Sequence, residues 1–206
     1  MWWFTAAAAW ADGARSPIEP VSVELGDARA MVVRGVVGQV ELVGAEVDAV
    51  SATGSAVAPV EVKLTRKDGV VYARVKGAEQ AGLELTLTVP RSLAALTVQD
   101  QRGALSVSEL PTRFAVVTSE GAVTVRGTDS VRVSHLAGAL RLDEVRGDVF
   151  VDALDGPLSV KGIGGDVALT EVSGAIQADD IGGDLSVEGT ASAVTQSGVR
   201  GTVHLP

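Results

Sequence analysis

Gly147-Asp148-Val149-Phe150-Val151-Asp152-Ala153-Leu154-Asp155, Gly156-Pro157-Leu158-Ser159-Val160-Lys161-Gly162-Ile163-Gly164 and Gly165-Asp166-Val167-Ala168-Leu169-Thr170-Glu171-Val172-Ser173 are consecutive in the chain and share one pattern. Each reads Gly-x-apolar-x-apolar-x-x-apolar-x. Apolar and polar residues alternating behind a glycine make a strand that buries one face, and the glycine supplies the turn before it. The same glycine recurs at 138, 147, 156, 165, 174 and 183 and, past a unit that has Ser192 instead, at 201. The residue after it alternates in kind. One set is Asp148, Asp166, Asp184 and Thr202; the other is Ala104, Ala122, Ala139, Pro157, Ala175 and Ala193. The true period is therefore two units, or 18 residues, as Asp148 to Asp166 shows. Tandem repeats of this length predict a solenoid, in which equivalent residues stack at the inter-strand spacing of about 4.8 Å.

Upstream the frame persists through Leu96 and Val98, Leu105, Val107 and Leu110, Phe114 and Val116, and Val123 and Val125. Gly121 and Gly138 are 17 residues apart, so one residue is missing. The gap is expected in a turn near Ser130, with Val131, Val133 and Leu136 still pointing inward, because a slip inside a strand would swap its faces. Residues 94–206 then hold about six coils in a rod about 30 Å long. The chirality of parallel crossovers predicts right-handed winding. Thr190 and Gln196 make the last core positions polar, and Pro206, which lacks an N–H, would blunt the end against further strand addition.

Residues 21–90 have a different texture, with alternating runs at Val21–Leu25, Gly38–Leu42, Val60–Leu64, Val70–Val75 and Leu83–Val89. Lys67-Asp68-Gly69 between two of them is a hairpin signal, since Asp-Gly readily takes the positive φ angles of a tight turn. The expected organisation is an N-terminal apolar, signal-like segment and linker over 1–20, a partly antiparallel β region capping the solenoid over 21–90, and parallel β-solenoid repeats over 91–206. Within the first segment, Met1-Trp2-Trp3-Phe4-Thr5, Ala6 to Ala9 and Trp10-Ala11 resemble the end of a signal peptide without its basic start, and the run is too short to span a bilayer.

Composition narrows the function. The chain has 206 residues, 46% of them hydrophobic but only 3% aromatic, so Val, Leu and Ala must fill the core, which again favours sheet. The net charge of −9 opposes a phosphate backbone, and nucleic acid is not an expected partner. The chain has no cysteine, which removes disulfides and thiolate metal sites.

Val89-Pro90 closing an alternating strand, followed by tandem Gly-[Asp/Ala]-[Val/Leu]-x-[Val/Leu] units, resembles the DUF4097 putative-adhesin family over roughly residues 30–206. The resemblance implies a toastrack-like β-solenoid and a periplasmic or cell-surface setting in bacteria, and it brings no catalytic residue with it.

Several groups are candidates for chemistry. Asp148, Asp166 and Asp184 form a column of carboxylates that would repel one another unless solvated or bridged, and calcium is the cation that suits oxygen ligands. The calcium-binding nonapeptide needs a further intervening glycine, which Gly164-Gly165-Asp166 and Gly182-Gly183-Asp184 lack, so capping of a tight turn is the preferred reading and no cofactor is expected. Asp143, Glu144, Asp152, Glu171, Asp179 and Asp180 could serve a carbohydrate-active β-helix enzyme only if gathered in a groove, and the short turns predict a solvated rim instead. His135 and His204 lie in unrelated units, with no serine-centred motif beside them. Arg146-Gly147-Asp148 spells a cell-attachment tripeptide through the repeat itself, and Gly162-Ile163-Gly164-Gly165 has no helix after it to bind phosphate. The Ala104, Ala122, Ala139, Ala175, Ala193 stripe, interrupted by Pro157, would permit close approach of another surface. Lys63, Arg66, Lys67, Arg74 and Lys76 concentrate positive charge on the 60–76 hairpin. Taken together, these features predict a non-enzymatic envelope protein that presents solenoid faces to a protein or glycan, with an enzyme or an end-to-end scaffold as the alternatives.

Overall fold

The computed structural model describes residues 15–77, 82–189 and 191–205, and among them there is no helix. The Met1–Ala11 run, Thr190 and Pro206 lie outside the described residues. The N-terminal region supplies β1 (Ser16–Pro17), β2 (Val21–Glu24), β3 (Ala30–Arg34), β4 (Gln39–Ala45), β5 (Ala49–Ala56), β6 (Glu61–Lys67), β7 (Val70–Lys76) and β8 (Glu84–Pro90). From there the chain alternates between two sheets. Sheet I receives β10 (Leu105–Ser108), β12 (Val123–Arg126), β14 (Leu140–Val145), β16 (Leu158–Ile163), β18 (Ala175–Ile181) and β20 (Ala193–Val199). Sheet II receives β9 (Ala95–Arg102), β11 (Arg113–Glu120), β13 (Ser130–Ala137), β15 (Val149–Asp155), β17 (Val167–Val172), β19 (Leu185–Glu188) and β21 (Val203–His204). Each coil is one strand of each sheet, and neighbouring coils pair in parallel, as in Leu140↔Leu158↔Ile176↔Val194 and Val149↔Val167↔Leu185↔Val203. The solenoid and its 18-residue coil are as the repeats predict.

The third apolar residue of each unit points inward through a backbone device. Strict alternation would bury Ala153, not Leu154. Instead Ala153 takes a left-handed conformation (φ 55°), and so do Asp100, Thr118, His135 and Glu171 at the same place in sheet II. Glu109, Glu144, Gly162 and Asp180 do so in sheet I. The ladders skip these residues: Ser134 pairs with Asp152 and Leu136 with Leu154, leaving His135 and Ala153 as bulges. One bulge per half-coil turns the next side chain back into the core. Val149, Val151 and Leu154 are all at most 2% exposed as a result.

The short unit is resolved at a corner. Phe114 pairs with Val131 and Val123 with Leu140, each 17 residues on, and the lost residue falls between Thr128 and Val131, while Val131, Val133 and Leu136 remain buried.

The N-terminal region shows the expected antiparallel pairing at β2–β5, β5–β8 and β6–β7, the last closed by Asp68 and Gly69 with φ of 51° and 73°. It also continues the parallel stack, and out of chain order. β3 lies between β7 and β9, and β4 between β8 and β10. The spatial order of coils is therefore β7/β8, then β3/β4, then β9/β10. Arg91–Ala94 step past the β3/β4 coil, with Arg91 N donating to Ala45 O (3.0 Å) and Ala94 N to Arg29 O (2.9 Å). Buried Gln101 ties the junction by donating from Nε2 to Gly38 O at 2.9 Å. Eight strands, β8 to β20, thus run in parallel through sheet I, which at about 4.8 Å per step spans about 34 Å.

Candidate binding faces

The Asp column occupies one corner of the solenoid, where it links coils. Asp148 Oδ1 accepts from the backbone N–H of Asp166 at 3.0 Å, Asp166 Oδ1 from that of Asp184 at 2.8 Å, and Asp184 Oδ1 from that of Thr202 at 2.6 Å. Glycine is required beside each step. A Cβ on Gly165, Gly183 or Gly201 would overlap the carboxylate of the aspartate one coil below. Each aspartate therefore caps the next coil's corner, which offsets the mutual repulsion of the column. Among the described residues, no three His, Asp or Glu side chains are grouped closely enough to hold a metal ion. Arg146 of the Arg-Gly-Asp tripeptide pairs with Asp129 at 3.1 Å, and Asp148 is the first member of the column. Gly162 is a bulge and Gly164-Gly165 a corner, followed by strand β17.

The carboxylates weighed for catalysis divide between opposite sheets. Asp143, Glu144, Asp179 and Asp180 lie on β14 and β18 of sheet I, whereas Asp152 and Glu171 lie on β15 and β17 of sheet II. In sheet I, Asp143 and Asp179 face out in one row with Lys161 between them. Asp143 is held by Arg141 Nε at 2.7 Å, and Glu144 by Arg126 at 2.8 Å. Asp179 accepts from Ser197 Oγ at 2.6 Å and from Gln177 Nε2 at 3.0 Å. The hydrogen bond and charge of Arg126 hold the Glu144 carboxyl below the usual carboxylate range, and the bonds from Ser197 and Gln177 do the same for Asp179. Both are therefore ionised, a poor state for a general acid. His135 on β13 and His204 on β21 are exposed and separated by three intervening strands of sheet II.

The Ala104, Ala122, Ala139, Pro157, Ala175, Ala193 stripe forms one row on the rim of sheet I, and all six residues are exposed. None is covered by the described N-terminal strands. Their small side chains leave a shallow groove beside the taller row of Thr124, Arg141, Ser159, Gln177 and Thr195, with a volume of about 550 Å³. A second concavity of about 370 Å³ extends it over Ala104, Ser106, Glu41 and Thr86. The groove lining thus combines methyl groups with hydroxyls, an amide and the guanidinium of Arg141, and its extension adds the carboxylates of Glu41 and Glu84.

The basic hairpin lies at the other end of sheet II. Lys63, Thr65, Arg66, Lys67, Tyr72, Arg74 and Lys76 line a concavity of about 630 Å³. Arg66 reaches back to Leu25 O and Asp27, and Lys67 has the Asp68 carboxylate within 4.0 Å. Tyr72 and Thr65 at the centre of this patch were not singled out from the sequence. Strand alternation places them on the same face as Lys63 and Arg74.

No family model matches the chain, and no curated protein does. Solved structures of similar extent exist. A crystal structure of a putative adhesin from Bacteroides fragilis NCTC 9343 is 13% identical, with a TM-score of 0.46 over 92% of this chain and 96% of that one. A putative cell adhesion protein from Clostridium sporogenes ATCC 15579 is 12% identical, with a TM-score of 0.41 over 93% and 98%. A putative adhesin from Parabacteroides merdae ATCC 43184 is 15% identical, with a TM-score of 0.35 over 95% and 98%.

Proposed function

We propose that this protein is a non-enzymatic, adhesin-like binding module of the cell envelope, acting outside the cytoplasm and presenting flat solenoid faces to a protein or glycan partner. The observation that carries this reading is the groove of sheet I, which runs past consecutive coils and is lined by Ala122, Ala139, Pro157 and Ala175 on one side and by Thr124, Ser159 and Gln177 on the other. Such a surface offers van der Waals contact and many weak hydrogen bonds to an extended ligand, and no carboxylate lines this stretch of it. The resemblance of the tandem units to an adhesin family supports the same setting.

The test is retention on immobilised glycans and envelope proteins, run beside an assay for newly formed reducing ends on each polysaccharide. Binding without turnover is expected, and an Ala139→Trp/Ala175→Trp variant that fills the groove should lose it while keeping its unfolding temperature. New reducing ends, or retention untouched by the filled groove, would overturn the proposal.

A further inference from the structure

From the β6–β7 hairpin we infer a second site on sheet II that takes an acidic polysaccharide, recognised through its carboxylate or sulfate groups. This rests on the reading of the chain as a binding module but concerns a different face. Lys63 stands directly opposite Arg74 across the antiparallel pair, and Arg74 is beside Arg34 in the parallel register of the next strand. Three cations thus lie in one line across three strands, at a spacing of about 4.8 Å. Like charges directly opposite one another destabilise a sheet. Most cations elsewhere in the molecule are paired, although Arg29, Arg113, Arg132 and Lys161 also have no described carboxylate within 4.0 Å. Arg91, Arg102, Arg126, Arg141, Arg146 and Arg200 each have a carboxylate within 4.0 Å, in a chain of net charge −9. Lys63, Arg74 and Lys76 have no described carboxylate within that reach, although Glu61 is the cross-strand neighbour of Lys76. Arg34 is paired with Asp100 at 3.2 Å, but Lys63 and Arg74, directly opposed and without such a partner, are in an acidic protein a local departure from stability of the kind that marks a functional site.

The remaining lining identifies the class of polyanion. The half-buried ring of Tyr72 and the hydroxyl of Thr65 are paired across the centre of the concavity, with the cations around them. An aromatic face with a polar tip, next to a hydroxyl, suits the apolar face and hydroxyls of a sugar ring, while the flanking guanidinium and ammonium groups take its anionic substituents. A membrane surface would call for exposed large apolar side chains among the cations. The exposed ones described are Val47, Val57, Val117, Phe150 and Leu205, none of them on the hairpin.

The experiment measures binding of fluorescent polygalacturonate and dextran sulfate, with neutral dextran as control and vesicles of anionic phospholipid as a separate arm. Native protein should bind one or both acidic polymers and not dextran, with affinity falling about tenfold or more between 50 and 300 mM salt. Lys63→Gln/Arg74→Gln should weaken binding about tenfold or more at low salt while leaving the unfolding midpoint unchanged or higher, since a like-charge pair is removed. Arg113→Gln/Lys161→Gln makes the same charge change elsewhere and should bind as native. Failure of both acidic polymers, equal loss in the two double variants, or binding of vesicles alone would overturn the site. Because the sheet I groove is untouched, its ligand should be retained by Lys63→Gln/Arg74→Gln, so failure of this site is distinguishable from failure of the binding-module reading.

Discussion

Asp166 occupies a corner where its own N–H donates to Asp148 and its Oδ1 accepts from the N–H of Asp184, so one residue joins three coils. The repulsion expected of stacked carboxylates is answered by backbone dipoles, and those bonds engage one oxygen of each side chain. The expected consequence is separable from charge. Asp166→Ala removes the acceptor and should lower stability by about 1 kcal/mol, a fall of about 2–4 °C in unfolding midpoint for a chain of this size. Asp166→Asn keeps an acceptor and removes one of three neighbouring negative charges, so its midpoint should match or exceed the native one. Thermal unfolding in chelator and in millimolar calcium checks both. Midpoints should agree between the two buffers. A calcium-dependent rise in the native chain that is absent from Asp166→Asn would instead make the column a cation site.

At the scale of the half-coil, the glycine that opens each unit was legible because its role leaves little choice. Gly121, Gly138 and Gly156 each stack so closely on the glycine below that a Cβ would strike its carbonyl. The bulge six residues after that opening glycine was legible only in its effect, the apolar-x-apolar-x-x-apolar spacing. Its occupants are Asp100, Glu109, Thr118, His135, Glu144, Ala153, Gly162, Glu171 and Asp180, which share a backbone conformation but, although five are acidic, no single side-chain chemistry. Residue type cannot announce a position that any residue will take at a cost of about 1–2 kcal/mol. The same distinction between corner and strand governs insertions. One glycine placed between Asp129 and Ser130 restores the 18-residue coil at a corner and should change the unfolding midpoint by only a few degrees. One placed between Val131 and Arg132 would turn Val133 outward against the ladders of β11 and β15, and should abolish the cooperative transition. Circular dichroism during heating distinguishes the two.

Across the whole molecule, the ordering of coils is the feature that local pattern could not disclose. β3 and β4 read as ordinary alternating strands, yet they are inserted between β7/β8 and β9/β10, pairing Leu42 with Val107 and Val33 with Val98. These partners are 65 residues apart, and no repeat period connects them. The physical reason for the arrangement lies in the ends of a solenoid, whose open strands and core must be covered. Here β9 and β10 are covered by an interposed coil that is itself held by β7, β8 and the antiparallel strands beyond. The N-terminal region is thus part of the stack's stability. A chain reduced to residues 91–206 keeps every regular repeat but uncovers Leu96, Val98, Leu105 and Val107, each at most 2% exposed in the whole protein. Fully burying one such side chain contributes about 1.5–3 kcal/mol, and two parallel strand edges are freed at the same time. The fragment should unfold more than about 10 °C below the full chain and associate as its concentration rises, whereas the full chain should not change its state over the same range. Light scattering and thermal unfolding of the two side by side decide it. Equal midpoints would mean that the repeats from β9 onward stand alone, and that the interposed coil is an ornament on a solenoid already complete.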